Sequence, residues 1–405
     1  MSFTVALSGL NAATSDLDVT ANNIANVSTT GFKQSRAEFS DLFAQTQQGV
    51  SSTAIGNGVR VADVAQQFSQ GNINFTQNSL DLAISGSGFF IVSDGGALSY
   101  TRAGSFHPDD AGFITNPEGN RLQGYPALAN GTFNTGALTD IQLTTSLSAP
   151  QATTTADVTL NLPADATVPT VTPLDPADAN SFTNAAPLTV YDSLGAAHTA
   201  TLYFSKTANA GEWNTQLYVD GVADGAAQTL TYSNAGALTL PANGKLTFPT
   251  YTPATGGAPL NMTFNFSNTT QYGDAFTVNA IKPDGYTAGR LIGIDTSSTG
   301  VVEARFTNGV TQALGQVAIA NFANPQGLQQ LGNTQWAETF TSGQPLRGQA
   351  GNSGFGTLQS GALESSNVDI TTQLVNMITA QRNFQANAQV ISTSDQVTQT
   401  IINIR

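Results

Sequence analysis

The sequence predicts a mainly β protein with an α-helix at each terminus, its strands divided between nested, discontinuous β domains. Three observations lead there. Apolar residues recur every seven positions at both extremities, short apolar runs alternate with Gly- and Asp-containing turns in the middle, and a change of composition brackets an insert within that middle. At 405 residues the chain is too long for one core, so two or three domains are expected.

At the amino end, Phe3, Leu10, Leu17 and Ile24 form one seven-residue row, and Leu7, Thr14 and Ala21 a second row offset by four. Together they make an a/d seam of coiled-coil type, ended by Gly31, on a helix of roughly 35 Å at 1.5 Å per residue. The carboxyl end repeats the design. Ile370, Met377, Phe384, Ile391 and Thr398 form one row; Leu374, Gln381, Ala388, Asp395 and Ile402 form the other. No Gly or Pro interrupts residues 362–405, and Ser366, Asn367 and Asp369 supply cap chemistry where a helix would start. Thr14, Gln381, Asp395 and Thr398 dilute the seam, so two such helices alone are marginal. They either pair with each other inside one chain or are completed by copies of the same chain. The weakness of the seam favours the second reading.

Between the helices, Phe89–Val92 runs through Asp94-Gly95-Gly96 into Leu98–Thr101, which is a hairpin signal. Further turn signals stand at Glu118-Gly119-Asn120, Asp220-Gly221, Asp284-Gly285 and Asn308-Gly309. Residues 144–181, rich in Thr, Ala, Pro and Asp, read as linker or edge loop. Strands are then expected at Leu188–Tyr191, Ala200–Phe204, Thr215–Val219, Met262–Phe266 and Phe276–Val278. The expected domains are therefore a terminal helical one (1–30 and 362–405), a connecting segment (31–75), an inner β domain (76–145 and 285–361) and an inserted outer β domain (146–284). The insert holds Lys206, Lys245 and Lys282 against ten acidic residues, which suits a solvent-facing unit.

Charged residues make up only 10% of the chain, against about 25% in ordinary soluble domains. A surface of neutral polar groups suits protein contacts with a small desolvation cost. The net charge of −14 and the absence of any basic run argue against nucleic acid. With no cysteine there is no disulfide, thiolate metal site or thiol nucleophile. The first basic residue is Lys33, so residues 1–32 are no secretory signal, and no apolar run reaches the ~20 residues of a membrane-spanning helix. His107 and His198 lack metal-ligand spacing, Asp109 and Asp110 read as turn residues, and no phosphate loop or nucleophile elbow is present. No catalytic residue, cofactor or metal is expected.

Residues 21–33, Ala-Asn-Asn-Ile-Ala-Asn-Val-Ser-Thr-Thr-Gly-Phe-Lys, resemble the amino-terminal signature of the flagellar rod and hook family, with Asn23, Asn26, Gly31 and Phe32 as its motif positions. The likeness continues at Ser79–Ile84, Gly86–Phe90, Tyr100–Phe106 and Gln123-Gly124-Tyr125, and returns at Ser366–Asp369, Met377-Ile378 and Gln381–Ala388. Val190–Gly195 followed by His198 resembles the outer domain of the hook branch, and the insert favours that branch over the shorter rod subunits. Gln373 stands where the family commonly has an acid, and Phe384 where it commonly has Tyr.

The resemblance implies a non-enzymatic subunit of a helical tube, a flexible coupling that transmits torque outside the cell. It also implies export through the flagellar type III apparatus without a cleaved signal peptide, with Phe39 and Phe43 as an export-gate element. The implied partners are copies of itself, the hook cap, the distal rod and the hook–filament junction proteins. The assembly surface is expected at Phe3, Leu7, Leu10, Leu17, Ile24, Ile370, Leu374, Met377, Ile378, Phe384, Ile391 and Ile402.

Overall fold

The computed structural model describes residues 2–42, 56–128, 131–143 and 147–403, in two compact units. The first comprises Met1–Thr145, Gly293–Arg305 and Thr311–Arg405; the second comprises Ser146–Ile292 and Phe306–Val310.

The first unit begins with helix α1, Ser2–Ala25, and ends with helix α2, Ile370–Asn403. Asp369 caps α2: Thr372 N–H donates to its Oδ1 at 2.7 Å and Gln373 N–H to its carbonyl at 3.0 Å. The Thr372 N–H holds the Asp369 carboxyl below its ordinary range. After α1, Ser35–Asp41 pairs antiparallel with Val59–Gln66, with a bulge between Glu38 and Phe39. This connecting ribbon has few large apolar residues, which hides its strands from a periodicity reading. It lies against α1, where Ser8 Oγ accepts from Val59 N–H at 3.2 Å.

The body of the unit is a large sheet. Its path runs Leu291–Thr296, Val301–Phe306, Thr311–Asn321, Arg121–Pro126, Phe89–Asp94, Ala97–Thr101, Gln335–Ala337 and Gln329–Gly332. The expected hairpin is present, turning at Gly95 (φ 57°) and Gly96 (φ 103°), where an L side chain would be strained. The run Phe89–Val92 is apolar at every position because both faces of the sheet are covered. Phe90 and Val92 join Leu82, Ile84, Phe106, Leu122, Val317 and Ile319 on one side, while Phe89 and Ile91 join Tyr100, Tyr125, Ala318 and Trp336 on the other.

The second unit has two five-stranded sheets. One is a meander of Asn184–Tyr191, Ala197–Lys206, Glu212–Val219, Val222–Tyr232 and Leu238–Leu240. The Asp220-Gly221 turn closes its third hairpin with both residues at positive φ (50° and 80°). The other sheet is organised around Thr155–Pro163, which pairs with Thr263–Asn265, Thr270–Tyr272 and Thr277–Pro283. Both sheets contribute to one core around Trp213, Phe204, Phe248, Phe264 and Phe266.

Thr155–Pro163 corrects the reading of residues 144–181 as linker. Their Thr, Pro and Asp content conceals a period-two row, Ala156, Val158, Leu160 and Leu162, every member of which is buried. The tip Phe306–Val310 also belongs with the second unit. Thr307 N–H donates to Arg290 O and Asn308 Nδ2 to Thr287 O, both at 2.8 Å.

Candidate assembly interface

Helices α1 and α2 pack antiparallel in the first unit: Gly9 lies against Asn387 at one end, and Asn23 Nδ2 donates to Gln373 Oε1 at 3.4 Å at the other. The rows facing inward are small or neutral polar. On α1 they include Ala6, Ala13 and Thr20, and on α2 Gln373, Ala380 and Asn387, both sets seven residues apart. Each inward row lies one residue before a predicted row (Leu7, Thr14, Ala21 and Leu374, Gln381, Ala388). The seven-residue period is thus present, but the buried row stands about 100° from that predicted row and about 60° from its companion (Phe3, Leu10, Leu17 and Ile370, Met377, Phe384), outside the expected seam. Small side chains allow the close approach. A Cβ on Gly9 would stand 2.6 Å from Asn387 Oδ1. Burial in the same region, beside Ala12, Ala13 and Asn387, raises the Asp16 carboxyl above its usual range.

The consequence is that the large apolar residues stay at the surface. Phe3, Leu7, Ile370, Leu374, Ile378 and Ile402 are exposed, with Ile402 at 66%. Leu10, Leu17, Ile24, Met377, Phe384 and Ile391 are half-buried. Helix α2 has 34 residues against 24 in α1, and its later turns expose Val390, Val397 and Ile401 as well. Uncovered apolar rows of this extent are larger than the scattered apolar residues of an ordinary monomer surface. Phe39 is 43% exposed on the connecting ribbon, and Phe43 lies outside the described residues.

Where the helices meet the sheets, a buried polar knot ties three distant segments together. Glu364 receives Lys33 Nζ at 2.6 Å on Oε1 and Arg102 NH1 at 3.1 Å on Oε2, with the Lys33 and Glu364 side chains fully buried. Gly71 N–H also donates to Glu364 Oε1, Lys33 Nζ to Ser69 O, and Arg102 NH2 to Gly86 O. Burial pushes both Lys33 and Arg102 below their ordinary pKa, and the Glu364 charge opposes that shift.

The motif residues serve this knot. Asn23 pairs with Ser35 like a strand neighbour, accepting its N–H at 2.9 Å and donating to its carbonyl at 2.8 Å. Gly31 (φ 69°) donates its N–H to Glu364 O, and a Cβ there would stand 2.4 Å from Ala103 N. Asn26 Nδ2 donates to Asn22 O and Oδ1 as α1 ends, and Phe32, half-buried, follows Gly31. Asn367 accepts from Gln34 N–H and donates to Gln67 O. Gln373 is buried and donates to Gln34 Oε1 at 3.2 Å.

Sequence reasoning missed Lys33, Arg102 and Glu364 as a unit. One signal was present: Lys33 and Arg102 are two of only 13 basic residues, and Glu364 is the sole acid between Glu338 and Asp369.

In the second unit His198 is buried between two carboxylates, with Nδ1 2.6 Å from Asp220 Oδ2 and Nε2 3.5 Å from Asp192 Oδ2. Burial would lower its pKa, but these carboxylates outweigh burial and raise it. Burial would likewise raise Asp192 and Asp220. Hydrogen bonds from Thr255, Ala196 and Leu194 to Asp192, and from His198, Thr199 and Tyr251 to Asp220, hold both below the usual range. With both ring nitrogens committed to carboxylates, His198 is placed as a staple and not as a base for a nucleophile. Among the described residues, no group of three His, Asp or Glu side chains is arranged to hold a metal ion.

Four stretches match flagellar families. Residues 3–33 match the flagellar basal body rod protein family, and 83–173 the flagellar hook protein FlgE/F/G D1 domain. Residues 161–286 match the flagellar basal body protein FlaE D2 domain, and 359–404 the flagellar basal body rod FlgEFG protein C-terminal family. The flagellar hook protein FlgE of Escherichia coli (strain K12) is 41% identical over 415 residues, covering 100% of both chains. That of Borreliella burgdorferi is 33% identical, covering 98% of each. The solved flagellar hook protein FlgE2 of Helicobacter pylori has a TM-score of 0.54 at 13% identity, over 72% of this chain and all of that one, a likeness of fold.

Proposed function

The chain belongs to the flagellar hook protein family, and from that premise we propose that its two terminal helices polymerise it into the hook tube, each copy covering apolar rows its neighbours leave bare. As a family member it is a structural subunit of the bacterial flagellar hook, the coupling that transmits torque from basal body to filament, and not an enzyme. The observation that carries the assembly reading is the rotated helix pair. The chain satisfies its own small residues internally and leaves Phe3, Leu7, Leu374, Ile378 and Ile402 exposed. A repeated contact of this kind that does not close generates a helical filament.

In this reading residues 1–30 and 362–405 form the assembly domain and 31–75 connect it to an inner β domain of 76–145 and 285–361. The insert from 146 is the outer domain, and its compact unit extends to Ile292. The polar knot at Glu364 sets the direction in which the helices leave the inner domain. The subunit leaves the cell through the flagellar type III apparatus. Phe39, exposed on the connecting ribbon, is available to the export gate. The cap at the growing tip, the distal rod and the hook–filament junction proteins are its other partners. Neutral Asn, Gln, Ser and Thr surfaces let neighbours slide as the tube bends, and cross-linked outer domains that still permitted full curvature would contradict that step.

The test removes residues 1–25 and 368–405 and follows assembly by sedimentation and electron microscopy. The expected product is a folded, β-rich monomer that forms no tubes. Tubes from the truncated chain would overturn the reading.

A further inference from the structure

The terminal helices leave one feature of the first unit unexplained. Phe340 is the most exposed large apolar residue among those described, with its side chain wholly in solvent. It is not on a loose loop. Thr339 N–H donates to Ser342 Oγ at 2.9 Å, Thr341 and Ser342 N–H donate to Thr339 Oγ1 at 3.2 and 3.1 Å, and Ser342 Oγ donates to Thr339 O. The Ser342 side chain is fully buried, and a Cβ on Gly327 would stand 2.5 Å from Ser342 N, so two backbones lie in contact beneath the turn. Asn324 Nδ2 donates to Thr341 O, and Gln326 Nε2 and Trp336 Nε1 both donate to Gln66, which ties the base to the connecting ribbon. The conformational cost of holding Phe340 outward is met within the fold, the condition under which an aromatic side chain binds best.

A second observation points the same way. The strand next to this turn, Gln329–Gly332, ends the path of the large sheet, and all four of its residues are exposed, Leu331 included. Among the described residues no further strand covers its outer edge. Free edges are commonly guarded by charge or proline, yet this one carries neither. From Ala323 to Leu346 the only charged residue is Glu338, and it receives the Tyr100 hydroxyl.

We propose that the turn at Phe340 and the strand edge beside it form a contact surface for a second copy of this chain, with Phe340 as its anchor. This rests on the assembly reading above. The choice of a second copy follows from charge. Copies of a chain with net charge −14 repel each other, so they meet at least cost across a neutral strip, whereas a basic foreign partner would be drawn to the acidic surface instead. Packing an aromatic against a neighbour's inner domain adds a lateral contact that the helices do not supply.

The chain has no cysteine, so Phe340→Cys in the full-length protein takes a single polarity-sensitive fluorophore. On polymerisation the label's emission is expected to shift to the blue and its quenching by iodide to fall. Separately, Phe340→Asp is expected to fold with an unchanged melting profile and to raise the critical concentration for tube formation about tenfold, the equivalent of about 1.4 kcal/mol. A label equally quenchable in tubes and monomers overturns the proposal, as does a Phe340→Asp chain that assembles at the original critical concentration. The truncation that tests the terminal helices removes no residue of this strip, so the two readings fail separately.

Discussion

Lys33 and Glu364, 331 positions apart, form an ion pair of 2.6 Å in which neither side chain reaches solvent. Arg102 holds the second oxygen of the same carboxylate, so one acid joins the segment after α1, the β body and the segment before α2. Removing one partner of such a network leaves buried charge without compensation, which costs far more than the pair itself gains.

Glu364→Gln therefore destabilises the first unit by roughly 3–5 kcal/mol. The measurement is denaturant unfolding followed separately in each unit, and the transition of the second unit stays where it was. A loss in the first unit as small as that of an exposed pair, below about 1 kcal/mol, would mean that the knot holds nothing together.

Gly9→Val drives a side chain into Asn387 and separates the terminal helices near the start of α1. Greater protease sensitivity of both ends is expected. Asn387→Ala makes room and restores protection, because the clash is with the end of a flexible side chain. A second substitution that gave no rescue would contradict the antiparallel register.

Leu374→Asp and Ile378→Asp change exposed positions and shift monomer stability by no more than about 0.5 kcal/mol. Both block tube formation. Ala380→Leu, at a fully buried site two residues beyond Ile378, does the reverse in the monomer and melts the helix pair. Thermal unfolding beside an assembly assay separates the two classes.

The second unit has an acid-side stability window. The folded pKa of His198 is raised, so its contribution is complete below the unfolded value of about 6.5 and is lost as pH rises through the folded value. The folded pKa values of Asp192 and Asp220 are lowered, so their contribution is present above about 4 and is lost as pH falls through the folded values. Stability of this unit peaks between those limits, and His198→Gln flattens its alkaline side. Unfolding midpoints taken from pH 3 to 9 check this, and an unchanged alkaline limb in the variant would discount the staple.

The period of the terminal helices was legible because seven-residue spacing is local, but their buried face was not. Which row turns inward depends on what it meets, and Ala380 opposite α1 packs closer than Leu374 could. The hairpin at Gly95 and Gly96 was readable from turn chemistry alone. Strand Thr155–Pro163 is masked by the Thr, Pro and Asp around its alternating buried row, and the connecting ribbon has too few large apolar residues to signal a strand. The Glu364 knot needs three segments brought together by the fold, so no local window contains it. The motif residues Asn23 and Gly31 came from resemblance, and the structure supplies their physical reason: a strand-like clasp on Ser35 and a backbone passage too tight for a Cβ.

The span between Lys33 and Glu364 also fixes a sequence of events. A chain delivered end-first, from a ribosome or through a narrow pore, cannot bring these groups together until nearly all of it has emerged. Its sheets have the residues to form before then, and the clasp between its two ends closes last.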